Sequence, residues 1–173
     1  MDNVKGIYQI PKAINEPVKQ YAPNSEELNS LLMEYKSRIK KTIDVPMYIG
    51  DKKVFSETKI NLTPPHDHGI VIGTGNLGKS EHVVNAINAA LDAKSKWQNM
   101  QWEHRASIFL KAAELLAGPY RDRINAATML AQSKNVFQAE IDAACELIDF
   151  FRFNVQFMSK IYSEQPESSE GIW

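Results

Sequence analysis

Apolar residues recur at helical spacing in two parts of the chain. After a proline-containing arm at residues 1–23, they predict a helix from Asn24 to about Lys41, with Asn24 and Glu27 forming a capping box. From Ser80 onward the spacing is helical almost to the end of the chain. This part predicts four more helices, two with apolar stripes over residues 83–97 and 108–116, and two at about residues 120–132 and 136–162.

Shorter apolar runs between Val45 and Ile72 follow a different pattern, which is typical of strands. Gly50-Asp51 and Pro64-Pro65 separate these runs, as turn residues do. The candidate strands are residues 47–49, 54–55, 59–62 and 70–72. None has the long Val/Ile character of an interior parallel strand, so we expect a hairpin followed by one or two more strands.

The last predicted helix is apolar on more than one side. One side carries Ile141, Cys145, Ile148, Phe151 and Val155, and a second side carries Phe150, Phe153 and Phe157. Because such a helix is normally buried between layers, we expect it to belong to an interior larger than this chain builds alone. We divide the chain into residues 1–44, the arm with the first helix, and residues 45–173, the strand unit with the later helices.

The overall composition argues against several classes of partner. Lys and Arg total 20 against 21 for Asp and Glu, and the net charge of -1 supplies no field that would attract nucleic acid or an acidic membrane. A small neutral or zwitterionic ligand remains compatible with that charge. Cys145 is the only cysteine, so an internal disulfide is impossible, and no apolar run has the length of a secretory leader or a membrane span. We therefore expect a reducing, cytoplasmic location.

A glycine-rich stretch offers the sharpest local motif. Residues 73–80, Gly-Thr-Gly-Asn-Leu-Gly-Lys-Ser, satisfy both the P-loop pattern and the dinucleotide pattern G-x-G-x-x-G. In a P-loop, backbone N–H groups wrap a phosphate that the lysine neutralises, which makes a nucleotide-binding module the alternative function. Such a module also needs a parallel sheet and a strand that ends in a magnesium-binding aspartate, whereas only helices are predicted after Ser80. The residues therefore favour a tight connection from Gly73 to Ser80.

Two other groups have weak claims to chemistry. Cys145 lies in the middle of a predicted helix beside Glu146, and an adjacent acid raises the pKa of a thiol where nucleophilic catalysis needs it lowered. A small core residue is the favoured interpretation. His66 and His68 flank Asp67 in a proline-containing turn where no further cluster supplies metal ligands, so we predict a solvated turn and no metal site.

The last helix carries four acids among its apolar residues, Glu140, Asp142, Glu146 and Asp149. Glu146 is the hardest to place on a solvated side, because it lies between Cys145 and an apolar pair. A semi-buried acid needs a cation or an ammonium group as its partner. From the residues alone, a structural salt bridge to Arg105 or Arg152 is favoured over a ligand contact.

Four blocks carry a resemblance to a known family. They are Asn15-Glu16-Pro17-Val18, residues 86–94 followed by Trp97, residues 105–116, and the longest, which runs from Gln138 to Asn154. Together they resemble the opening third of the 1-pyrroline-5-carboxylate dehydrogenases, a branch of the aldehyde dehydrogenase superfamily. The longest block resembles this branch closely and other aldehyde dehydrogenases only loosely. One departure is Gln132-Ser133-Lys134-Asn135, where the family usually has glycine before the lysine, and we expect a local change of turn there.

The resemblance implies a fold class and an activity. The fold would be α/β and aldehyde dehydrogenase-like, with residues 45–173 as the helix-rich beginning of the NAD-binding domain, including a small antiparallel strand unit. The full-length family oxidises glutamate γ-semialdehyde to glutamate with NAD, which is the second step of proline breakdown. The resemblance also implies a small-molecule substrate and a homo-oligomer in full-length form.

Functional residues can be assigned only through this resemblance. It implies that the family's catalytic cysteine and cofactor turn lie beyond Trp173, so we expect no catalytic, cofactor-binding or metal-binding residue in this segment. The segment alone should therefore be inactive. One functional residue carries over, because Glu146 matches the glutamate that the family places beside the amino group of its amino-acid substrate. Glu146 is thus the predicted substrate-binding residue.

Overall fold

Helices dominate residues 9–171, the part of the chain that the computed structural model describes. In chain order the elements are α1 (Glu26–Ile39), β1 (Ile43–Val45), β2 (Met47–Ile49), β3 (Lys52–Val54), β4 (Lys59–Leu62), β5 (Gly73–Asn76), α2 (Ser80–Gln98), α3 (Trp102–Ala117), α4 (Arg121–Gln132), α5 (Val136–Ala139), a π-helical turn (Glu140–Cys145) and α6 (Glu146–Ser163). The last three form one continuous helical segment. The predicted helices are confirmed, whereas apolar spacing does not predict the π-helical turn. None of the helices in this part is long and apolar enough to cross a membrane.

The arm and the first helix differ in detail from the prediction. Residues 1–8 of the arm lie outside the described part of the chain. The helix is capped by Ser25, whose hydroxyl accepts a hydrogen bond from the Leu28 backbone N–H at 3.3 Å. Asn24 has a φ of 65°, in the left-handed region, so it turns the chain before the helix. The N-cap is therefore Ser25, and the capping box predicted at Asn24 is wrong.

The strands form two small sheets. β2 and β3 pair antiparallel as the predicted hairpin, with Met47 opposite Val54. In the second sheet β5 is the central strand, antiparallel to β4 and parallel to β1. The antiparallel unit is thus confirmed, and the structure adds a parallel edge strand that lies across the proposed division between residues 44 and 45. The strand expected at residues 70–72 is wrong, because the strand lies at Gly73–Asn76 instead.

The helices pack around two clusters of buried apolar side chains. α1 packs against α4 around Leu31 and Ala126, and Tyr21 of the arm completes this cluster. α3 packs against α6 around Ala113 and Ile148. α4 also contacts α5 and the π-helical turn. Because Tyr21 of the arm packs against α4 in the first cluster, the arm lies beside the last helical segment.

Other apolar faces stay uncovered in this chain. No residue of α2 is buried, and Val83, Ile87 and Leu91 are each more than half exposed. α6 has the expected two-sided character, since Ile148 is fully buried while Phe150 on another side is 60% exposed. Exposed apolar faces of this kind normally have a covering layer, which agrees with the expectation of a larger interior.

Candidate functional site

The extended arm lies across the last helical segment and is held there by acidic side chains. Asp149 of α6 accepts hydrogen bonds from the Asn15 side chain and from the Glu16 backbone N–H, both at 2.7 Å. Glu140 accepts from the Lys19 backbone N–H at 2.9 Å. An arm without strand partners needs such acceptors, because a buried backbone N–H without a partner is costly. The acids of the last segment therefore fix the path of the arm.

Glu140, the first residue of the π-helical turn, is fully buried. Its Oε1 accepts from the Lys19 N–H and from Arg121, and its Oε2 accepts from the Tyr21 hydroxyl and the Asn125 amide, both at 2.8 Å. Arg121 is itself only 2% exposed. A buried carboxylate is tolerated in such a place because it is paired and its lone pairs accept hydrogen bonds.

Arg121 links this buried acid to the arm. Its guanidinium pairs with both Glu140 and Glu16, and it donates to the Pro17 carbonyl oxygen at 2.8 Å. Glu16 in turn pairs with Arg152 of α6 at 2.7 Å. Anions and cations therefore alternate along one chain of ion pairs, in the order Glu140, Arg121, Glu16 and Arg152. This chain connects the π-helical turn to α4, the arm and α6.

The charges of this network shift the pKa values of its members. Burial raises the pKa of Glu140, but donation by Arg121, the Lys19 N–H and the other donors prevails and holds this pKa well below its usual range. Burial and the Glu140 carboxylate raise the pKa of the Tyr21 hydroxyl. Burial and the same carboxylate raise the pKa of Cys145 to about 11, so its thiol stays protonated near neutral pH. Cys145 is a core residue, as predicted.

Glu146 is exposed and lies directly after the π-helical turn, at the start of α6. It borders an open groove of about 230 Å³ whose other lining residues are Asp149, Phe150, Phe153, Asn154 and Phe157. Within residues 9–171 no ion pair involves Glu146. The groove therefore combines aromatic rings with two carboxylates, of which Asp149 accepts hydrogen bonds from the arm and Glu146 has no ion-pair partner in this part of the chain.

The environment predicted for Glu146 is wrong in two respects. The side chain is exposed and not semi-buried, and neither expected cation pairs with it. Arg105 donates to the Tyr162 hydroxyl at 2.6 Å, whereas Arg152 pairs with Glu16. The Glu146 carboxylate therefore has no cation partner for a structural salt bridge in the described part of the chain.

The acid that does need a buried cation is Glu140, which the sequence reasoning did not single out. A signal for it exists in the sequence. Glu140, Ala144 and Ile148 recur at intervals of four residues, and all three are fully buried. Glu140 thus lies on the buried stripe of the last helical segment. The apolar neighbours of Glu146 are next to it in sequence, so they lie on other sides of the helix and do not bury its side chain.

The glycine-rich stretch does not form a phosphate-binding loop. Its first four residues, Gly73–Asn76, are the central strand β5. A Cβ at Gly73 would lie 2.5 Å from the Ile43 carbonyl oxygen, so glycine at this position permits the close approach of β1. The Lys79 N–H donates to His82 Nδ1 at 2.8 Å, which leaves it unable to point at a phosphate. The expected tight connection is thus limited to residues 77–79.

The histidine turn makes contacts within the fold. His66 Nδ1 lies 2.8 Å from Ser133 Oγ, and Asp67 Oδ1 accepts from the Gly69 N–H at 3.0 Å. Across residues 9–171 no cluster of three or more His, Cys, Asp or Glu side chains could hold a metal ion.

The departure from the family pattern at residues 132–135 has a structural counterpart. Ser133 has a φ of 56°, the left-handed conformation that commonly ends a helix and favours glycine. It stands before Lys134, at the position where the resemblance led us to expect a local change of turn. A serine therefore adopts here a conformation that favours glycine.

The sequence that builds this fold matches a known class of enzyme. A model of the aldehyde dehydrogenase family matches residues 53–172. The chain therefore belongs to the aldehyde dehydrogenase family, which confirms the α/β fold class expected from the resemblance.

Within that family the chain is similar to delta-1-pyrroline-5-carboxylate dehydrogenases. The enzyme of Agaricus bisporus is 44% identical over 170 residues, which cover 96% of this chain and 31% of the relative. The probable enzyme of Schizosaccharomyces pombe is 39% identical over 168 residues, with the same coverage of 96% and 31%. The chain thus spans about a third of the length of these relatives.

Solved structures show the same similarity. The Mycobacterium tuberculosis delta-pyrroline-5-carboxylate dehydrogenase bound with NAD has a TM-score of 0.95 and 46% identity, over 98% of this chain and 32% of that one. A mutant of the Thermus thermophilus 1-pyrroline-5-carboxylate dehydrogenase, at 23% identity, has a TM-score of 0.82 over 94% of this chain and 31% of its own. At that identity the comparison supports the fold alone. The resemblance found in the sequence blocks is thus confirmed.

Proposed function

We propose that this chain is the amino-terminal segment of an NAD-dependent dehydrogenase that oxidises L-glutamate γ-semialdehyde, the open form of 1-pyrroline-5-carboxylate, to L-glutamate in proline breakdown. The support is the similarity to relatives named for this activity in Agaricus bisporus and Mycobacterium tuberculosis. Because the chain spans about a third of those relatives, we attribute the activity to an enzyme of their length.

NAD is the proposed cofactor, because the Mycobacterium tuberculosis relative is described with NAD bound. By the resemblance, residues 45–173 would begin the NAD-binding domain behind the arm and first helix of residues 1–44. The glycine-rich stretch does not fit the pyrophosphate of this cofactor, because Gly73–Asn76 is a paired strand and Gly73 permits the close approach of β1. We therefore assign no step of hydride transfer to a residue of this chain.

Substrate binding is the role we assign to Glu146. The observation that supports it is an exposed carboxylate, without an ion-pair partner among residues 9–171, at the edge of an aromatic groove. The proposed substrate carries an ammonium group, which forms charge-assisted hydrogen bonds with a carboxylate. Phe150 and Asn154 follow at intervals of four residues and share one face of α6 with Glu146, and aromatic faces also attract cations.

This contact would separate the proposed substrate from simple aldehydes. The ammonium group keeps its charge throughout the reaction, so its contact with Glu146 is equally strong in the ground state and the transition state. Binding of that uniform kind lowers KM and leaves kcat almost unchanged. The carboxylate therefore selects an amino-acid aldehyde without taking part in its oxidation.

The test is Glu146→Gln in a full-length enzyme that contains this segment. A charge-assisted hydrogen bond contributes about 1.5–3 kcal/mol, so we expect kcat/KM for glutamate γ-semialdehyde to fall roughly ten- to hundredfold, mainly through KM. An aldehyde of similar length without an amino group should be oxidised almost as before. Equal losses for both substrates, or a lower melting temperature with normal kinetics, would leave Glu146 with a structural role only.

Asp142→Asn is the matched control for this substitution. Asp142 is an exposed acid in the same helical segment, and it pairs with Lys134 at 2.5 Å. It does not line the groove of Glu146. Neutralising it should therefore leave the discrimination between the two aldehydes unchanged.

The compartment and the assembly are also proposals. The single cysteine suits the reducing cytoplasm, which is the location we propose, whereas relatives from Emericella nidulans and Homo sapiens are named mitochondrial. Fractionation of the source cells would decide between these compartments. The resemblance supports a homo-oligomer in the full-length form, which sedimentation of that form would measure. The apolar faces of α2 and α6 that are exposed in this chain would promote association of the segment by itself.

A further inference from the structure

A single guanidinium contacts both ends of the π-helical turn. Arg121 Nη2 donates to Glu140, the first residue of the turn, and to the Cys145 Sγ of the last residue at 3.5 Å. Arg121 is 2% exposed, and Glu16 and the Pro17 carbonyl oxygen hold it from the side of the arm. One buried side chain of α4 therefore brackets the whole turn.

The π-helical turn allows two side chains of the last helical segment to be buried together. Glu140 and Ile148 are both fully buried, Glu140 among the donors of α4 and the arm, and Ile148 against Ala113 of α3. Over the interval between them an uninterrupted α-helix would advance about 800°, which leaves the two side chains about 80° apart. A π-helical turn holds an additional residue, so the same interval completes roughly two turns. Both side chains then face the interior.

Glu146 lies between these two anchors, at the point where the turn ends. If the turn relaxed to α-helical geometry, Glu146 would rotate by about 100° relative to the arm and α4. The direction of its carboxylate therefore depends on the contacts that hold the turn.

We propose that Arg121, through its pair with Glu140, is a positioning residue that maintains the π-helical turn and so aims Glu146 at the ammonium group of the substrate. Arg121 is buried and does not line the groove of Glu146, so it acts through the turn and not by touching the substrate. This inference rests on the proposed function of Glu146.

The test uses Arg121→Lys in a full-length enzyme that contains this segment. Lysine keeps the charge but lacks the planar fork that reaches Glu140, Glu16 and the end of the turn together. The quantity to measure is the ratio of kcat/KM for glutamate γ-semialdehyde to that for an aldehyde of similar length without an amino group. We expect this ratio to fall about tenfold through KM, because small displacements weaken such a contact strongly. In a Glu146→Gln background Arg121→Lys should not change the ratio further.

Arg152→Lys is the matched control. Arg152 makes the same kind of ion pair with Glu16, at 2.7 Å. Within residues 9–171 its ion pairs and hydrogen bonds involve no residue of the π-helical turn. The substitution should leave the ratio unchanged. Tyr21→Phe is a milder variant that removes one donor from Glu140 and carries the test if Arg121→Lys does not fold. We expect it to lower the ratio about twofold, again only when Glu146 is present.

Several outcomes would overturn this inference. They are an equal fall of the ratio with and without Glu146, an equal fall for Arg152→Lys, and lower thermal stability with an unchanged ratio. If Glu146→Gln alone leaves the ratio unchanged, the proposed function fails and this inference fails with it. If Glu146→Gln lowers the ratio while Arg121→Lys and Tyr21→Phe do not, the proposed function stands and only the positioning role is lost.

Discussion

The contacts of the buried Glu140 carboxylate predict the effect of Glu140→Gln on stability. The substitution keeps the shape of the side chain but turns one acceptor oxygen into an NH₂ group. Oε1 accepts from the Lys19 N–H and Arg121, and Oε2 accepts from Tyr21 and Asn125. Either orientation of the new amide therefore takes an acceptor away from at least two donors.

The expected magnitude follows from the charge that stays behind. Breaking a buried ion pair by removing one partner costs about 3–5 kcal/mol, because the other charge is left uncompensated. We expect Glu140→Gln to lower the free energy of unfolding by about 3 kcal/mol, the lower end of that range. The lower end applies because Glu16 still pairs with Arg121. In addition, Asn125 Oδ1 is buried without a partner among the described residues, and it can accept from the new amide once Asn125 flips.

Urea unfolding of the 173-residue chain, followed by circular dichroism, measures the free energy of unfolding of each variant. Asp142→Asn is again the control, because Asp142 lies in the same π-helical turn and pairs with Lys134 only at the surface. Exposed pairs of this kind contribute about 0–1 kcal/mol. Equal losses for Glu140→Gln and Asp142→Asn would refute the reasoning that burial makes the Glu140 network important.

The pH dependence of the same variant has a definite sign. The donors around Glu140 lower its folded-state pKa to about 2, below the value in the unfolded chain, so protonation favours unfolding. Its contribution to stability is complete above the unfolded pKa and is lost as the pH falls towards about 2. Glu140→Gln should therefore lose less stability than the parent between pH 7 and the acid range. An identical loss in both proteins would contradict this assignment.

Three further predictions concern the glycine-rich stretch and the single cysteine. Gly73→Ala should lower the free energy of unfolding in urea by about 1–3 kcal/mol, because its Cβ would lie 2.5 Å from the Ile43 carbonyl oxygen. Lys79→Ala should leave stability and ligand binding unchanged in calorimetry; magnesium-dependent ATP binding that this variant loses would establish a P-loop instead. The 173-residue chain should produce no NADH from glutamate γ-semialdehyde, because its one cysteine, Cys145, is buried with a raised pKa; NADH fluorescence above background would show otherwise.

The helical frame of this protein follows from the sequence alone. Apolar residues at helical spacing predicted α1 to α4 and the long last segment, because that spacing depends only on neighbours within a few turns. The four blocks of resemblance, of which the block from Gln138 to Asn154 is the most specific, also indicated the branch of the aldehyde dehydrogenase family to which the relatives belong. The role of Glu146 at the substrate stays a prediction.

The small sheet shows where local pattern stops being sufficient. Residues 70–72 have the composition of a strand, yet the strand begins at Gly73, in residues that favour a turn on composition. Pairing with β1 on one side and β4 on the other makes this stretch a strand. Both partners lie outside the stretch itself, so no local pattern contains that information. The same pairing argues against the nucleotide-binding alternative.

The environments of the acids were decided only by the tertiary structure. The sequence identifies Glu140 and Glu146 as acids in one apolar helix, and local reasoning chose the wrong one as the buried acid. The choice depends on Arg121, on the arm, and on a π-helical turn that changes the phase of the helix between the two acids. Spacing specifies which side chains share a face of a helix. Which face meets a buried cation depends on contacts between segments far apart in the chain, and these exist only once the arm, α4 and the last helical segment have packed together.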